Sequence, residues 1–197
     1  MRRAFSFDAE ELFNIGVSLF IIALAFSLRY LFFSKAAFLN VFSIVLIGVG
    51  SGFVLHELAH KFVAVRFGAF ARYQAWGFGL GLALLMALVT RGAFVFAAPG
   101  AVYIYSPYIT RRQNGLISIA GPLTNLLLGF AFLAFGILSP RDSYAELLGF
   151  SAASVNFFLG FFNMLPIPPL DGSKVLAWSW MAWLALITPL ALMTFLF

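Results

Sequence analysis

The sequence predicts an all-α polytopic membrane protein of about five to six transmembrane helices. A short membrane-associated β-hairpin or re-entrant segment falls between the second span and a Gly-Pro-x-x-Asn span. Three observations carry this reading. Of the 197 residues, 63% are hydrophobic and only 10% charged, where a soluble domain carries about 25% charged residues. With a mean hydropathy of +1.02, one core of this size cannot absorb the apolar surface, so much of it has to meet lipid. The apolar residues also form long unbroken runs near the roughly 20 residues that cross a bilayer. These runs do not alternate, which argues against a β-barrel and leaves helices that satisfy their own backbone hydrogen bonds.

Taken in order, the first span covers about 12–32. Arg2 and Arg3 ahead of an apolar run resemble a signal peptide. That run continues to about Leu28 with no A-x-A site after it, so it reads as an uncleaved span. Further spans are expected at about 38–63, 115–138, 145–165 and 175–197. The stretch 73–90 is apolar but short and rich in glycine (Gly77, Gly79, Gly81), and it is read as a re-entrant hairpin.

Loop charges favour that choice. With 73–90 entering and leaving on one side, Lys61, Arg66, Arg72, Arg91, Arg111 and Arg112 share a side with Arg2, Arg3 and Lys174. That is nine of the 12 basic residues, as the positive-inside rule expects for a cytoplasmic N-terminus. The +5 formal charge is thereby explained by membrane topology, without nucleic acid as a partner. Residues 92–106 have another texture: aromatic and β-branched residues flank Pro99-Gly100, which predicts two short strands around a turn. With no internal repeat or appended soluble stretch, residues 1–197 are expected to form one domain in a multi-pass cell-membrane protein.

The chemistry concentrates in His56-Glu57-Leu58-Ala59-His60. Residues i and i+4 share a helix face, so both imidazoles can address one metal ion, and Glu57 stands where it can take a proton from water there. The duller alternative is a pair of core histidines. The chain has only two histidines, and placing both with a glutamate inside an apolar span is costly without a function. A catalytic zinc site uses three protein ligands and one open position. No cysteine or third histidine is present, so the third ligand should be a carboxylate. Asp8, Glu10 and Glu11 precede the first span, and Asp142 and Glu146 fall on the opposite side by this topology. Asp171 shares the cytoplasmic side, after a proline-interrupted stretch from Asn163. Its plainer reading is a cap for the last helix. Gly48, Gly50, Ser51 and Gly52 read as small residues for close helix packing. Tyr103, Tyr105, Tyr108 and the tryptophans read as interfacial anchors.

Together, His56-Glu57-x-x-His60, Ala120-Gly121-Pro122-Leu123-Thr124-Asn125 and Asn163-x-x-Pro166-x-Pro168-x-x-Asp171-Gly172 resemble, in order, the signatures of the site-2 protease family of intramembrane zinc metalloproteases. The resemblance implies one Zn2+ on His56, His60 and Asp171, with Glu57 as general base. It places Asn125 near the catalytic centre, with Asn163 in support. It also implies a strand pair near 93–106 that holds a membrane-spanning protein substrate extended. Three alternatives stay open: a non-proteolytic metal-binding or transport protein, an inactive protease-like interaction module, or another zinc protease with Glu146 as third ligand.

Overall fold

A computed structural model describes residues 5–93, 99–106 and 108–196. Helix α1 (Ala9–Leu31) starts where the Asp8 side chain accepts from the Glu11 N–H, and α2 (Lys35–Arg66) where Ser34 accepts from Ala37. The tight turn between them makes the two helices antiparallel neighbours. Helix α4 (Arg111–Leu138) opens on a capping box between Thr110 and Gln113, and α5 (Tyr144–Asn163) on a Ser143 cap. These four helices are long and apolar enough to cross a membrane. Leu127, Leu138 and Phe13 lie exposed along them, as side chains facing lipid would.

Helix α2 is the central element, packed against α1 on one side and against α4 and α5 on the other. Its small residues permit this. A Cβ on Gly48 would sit 3.0 Å from the Ala152 backbone, and one on Gly50 would sit 2.7 Å from Leu19. The packing expected of that glycine-rich stretch is therefore present.

Two expectations need correction. The stretch 73–90 is not one element: it contributes the end of strand β1 (Phe70–Ala75) and then a 13-residue helix α3 (Gly77–Val89). Strand β2 (Gly100–Tyr105) pairs antiparallel with β1, from Phe70↔Tyr105 to Ala75↔Gly100. The partner of the 100–105 strand is thus on the far side of α3, not across the Pro99-Gly100 turn. Residues 94–98 of the expected local hairpin lie outside the described residues. Strand β1 escapes notice because its Phe-Ala-Arg-Tyr-Gln-Ala sequence runs straight into the apolar helix. Ala75 faces Gly100, so the chain is back beside the end of β1 at Gly100.

The second correction is the last span. Instead of one helix over 175–197, there is a short α6 (Asp171–Trp178), a break at Ser179 and then α7 (Trp180–Leu196). Ser179 is extended (φ −152°, ψ 112°). Its hydroxyl accepts from the Ala182 N–H and its carbonyl from Trp183. A serine that caps a new helix outweighs the hydropathy of its neighbours. Four spans plus the shorter apolar helices α3 and α7 are what the structure offers against the five to six expected.

Candidate metal centre

The His56 and His60 rings project from one face of α2, centroids 4.6 Å apart and nearly perpendicular. Asp171 arrives from the other end of the chain. It is the first residue of α6, and the cap position falls to Leu170, which makes no side-chain cap bond. The Asp171 carboxylate is therefore free of the plainer role considered for it. Its Oδ2 lies 3.3 Å from His56 Nε2 and 3.0 Å from His60 Nε2. The turn carrying it is held by Trp183 Nε1–H donating to the Met164 carbonyl. Gly172 allows the close approach, since a Cβ there would lie 2.0 Å from that same oxygen.

The other ring nitrogens decide what the centre can hold. His56 Nδ1 faces Asn125 Oδ1 at 2.5 Å, and His60 Nδ1 faces the Ile117 carbonyl at 2.7 Å. The Asn125 amide is oriented by its own Nδ2, which donates to the Gly52 carbonyl and to Asn156 Oδ1. Both Nδ1 atoms thus face acceptors and carry the ring proton. As neutral imidazoles the two rings would present bare Nε2 lone pairs to a carboxylate oxygen. Three converging lone pairs repel one another unless a metal ion, or a proton on Nε2, lies among them. A tetrahedral site with bonds of about 2.0–2.1 Å has edges of about 3.3 Å, close to the separations seen. Two imidazole nitrogens and one carboxylate oxygen, with all three ligand atoms within 4.8 Å of one another, fit zinc. Among the described residues, this cluster contains Asp171 and not Glu146.

Helix α4 comes against the two rings at Gly121. A Cβ at that position would be 2.4 Å from His60 Nε2 and 2.5 Å from His56 Nε2, so no larger residue leaves room for an ion. Pro122, next in line, removes one helical N–H and loosens this turn of α4.

Glu57 lies beside the pair, and its Oε2 accepts from the Val102 backbone N–H of β2 at 2.9 Å. The small sheet therefore borders the centre. Its other edge is anchored by Glu11, which accepts from the Tyr73 N–H and forms a buried ion pair with Lys61, the residue after His60.

A family model, peptidase family M50, matches residues 44–150 and 142–189. The chain belongs to peptidase family M50, the site-2 protease family. The same likeness extends to whole proteins. A candidate zinc metalloprotease of Methanocaldococcus jannaschii is 43% identical over 94% of this chain and 93% of its own. Another from Mycolicibacterium smegmatis is 33% identical over 69% of this chain and 57% of the relative. One from Bacillus subtilis is 34% identical over 63% of each. No solved structure matches. In this M50 peptidase the matched region includes His56, Glu57, His60, Gly121, Asn125 and Asp171.

Sequence reasoning missed two groups in this neighbourhood. Asn156 is fully buried against Asn125, yet it sits in an apolar helix outside any recognised spacing. Glu11 looked like one of three acids preceding a span. Asn163, singled out as a support, donates to the Leu159 carbonyl of its own helix.

Proposed function

We propose that this chain is a zinc-dependent endopeptidase that cleaves transmembrane segments of other membrane proteins. The convergence of His56 Nε2, His60 Nε2 and Asp171 Oδ2 inside a bundle of membrane-length helices carries the reading. One zinc ion bound by these three residues supplies a Lewis acid that polarises a scissile carbonyl and makes water acidic enough to deprotonate near neutral pH.

The chain's own residues do the rest. Glu57, next to His56, accepts the proton of the attacking water and returns it to the leaving amine. Strand β2 lies along Glu57, and its outer edge suits an extended peptide adding by backbone pairing. An unwound substrate segment laid there has its carbonyls released from helical hydrogen bonds and brought next to the general base. Helix α3, within the stretch 73–90, is read as a re-entrant element, and the N-terminus and centre as cytoplasmic. The ion pairs Lys61–Glu11 and Arg72–Asp8 support placing the N-terminus and the C-terminal end of α2 on one side.

The test is cleavage of a single-span reporter in proteoliposomes. Wild type should cleave it and Glu57→Gln should be slower by about 10²-fold or more, within the range of general-base contributions. Equal rates would end the proposal.

A further inference from the structure

Asn156 is fully buried on α5, in a helix whose other inward residues are apolar or small. A lone buried amide is costly unless every polar atom finds a partner, and this one is fully used. Its Nδ2 donates to the carbonyls of Gly48 on α2 and Ala152 on its own helix. Its Oδ1 accepts from Asn125 Nδ2. Asn125, equally buried, turns its remaining oxygen to His56 Nδ1.

The polarity of this chain runs in one direction. The Gly48 and Ala152 carbonyls can only accept, so they draw the amide nitrogen of Asn156 and leave its oxygen facing Asn125. That oxygen, with the Gly52 carbonyl, draws the amide nitrogen of Asn125 and leaves its oxygen facing His56. The His56 ring then carries a proton on Nδ1, which leaves Nε2 as its metal-facing atom. His60 reaches the same state by a separate route, through the Ile117 carbonyl alone.

We propose that Asn156 is a positioning residue for the metal centre, fixing the His56 tautomer through Asn125 and coupling α5 to metal affinity. This rests on the zinc reading above. It adds a residue that touches neither metal nor substrate.

The chain's two histidines make the test internally controlled. Protein labelled with 15N-histidine is loaded with zinc in detergent, and the Nδ1–H resonances of both rings are recorded. Zinc affinity is measured by chelator competition. In Asn156→Leu, the His56 Nδ1–H signal should shift and exchange faster with water while the His60 signal stays in place. Affinity should fall about 10-fold, the lower end of the range for residues supporting metal ligands. If the leucine variant does not fold, Asn156→Ala takes its place with the same expectation.

Unchanged His56 resonances and affinity in a folded leucine or alanine variant would overturn the proposal while leaving the zinc reading intact. Equal shifts at both histidines would overturn it too, by showing general loosening. Failure of the wild type to bind zinc would remove the zinc reading itself, and the positioning role with it.

Discussion

Tyr73 and Val102 face each other across the two-stranded ladder, and each sends its backbone N–H outward to a carboxylate. Tyr73 donates to Glu11 Oε1 and Val102 to Glu57 Oε2, both at 2.9 Å. In an antiparallel pair, alternate residues point their N–H groups away from the partner strand, and this pair is one of those. One glutamate ties the sheet to the start of α1 and the buried Lys61. The other, Glu57, ties it to the turn of α2 that carries the two histidines. The sheet is thereby keyed to the metal centre from both edges.

Val102→Pro tests the link to Glu57. Proline lacks the N–H but is tolerated where that group faces away from the ladder. A hydrogen bond to a charged group contributes about 1.5–3 kcal/mol. The turnover rate should therefore fall about 10-fold or more in the reporter assay, with zinc content by mass spectrometry unchanged. Loss of zinc together with activity would mean that the strand supports the whole centre rather than Glu57.

Gly121→Ala puts a methyl group where the two Nε2 atoms converge. Zinc affinity should drop by more than about 100-fold, at or beyond the upper end for disturbed metal sites, with helical circular dichroism retained. Gly16→Ala is the control, since a Cβ there meets nothing within 4 Å. Chelator competition on both variants gives the answer.

Lys61→Met leaves the Glu11 carboxylate buried without its partner. Breaking a buried ion pair costs about 3–5 kcal/mol, so the melting temperature in detergent should fall markedly. The double variant Glu11→Gln/Lys61→Met should regain much of it, because the glutamine oxygen still accepts from Tyr73. A double variant no more stable than the single one would show that the pair is not the source of the effect.

The His-Glu-x-x-His spacing was legible because it is local. His56, Glu57 and His60 sit within five residues of one helix, and Asp171 stood out among few carboxylates. The membrane class was legible from composition alone. Partnerships set by tertiary packing were not. Strand β1 finds its partner across a helix, and Ser179 breaks a uniformly apolar run by capping. Asn156 becomes meaningful only when α4 and α5 are laid against Gly48 and Gly52. Glu11 and Lys61 are 50 residues apart, and nothing local signals that burial pairs them.

The most direct test of the central claim is the zinc content of protein purified gently without chelators, measured by mass spectrometry for wild type, Asp171→Ala and Glu146→Ala. About one zinc per chain is expected in wild type and in Glu146→Ala, and a large loss in Asp171→Ala. A metal-free wild type, or zinc retained in Asp171→Ala and lost in Glu146→Ala, would contradict it.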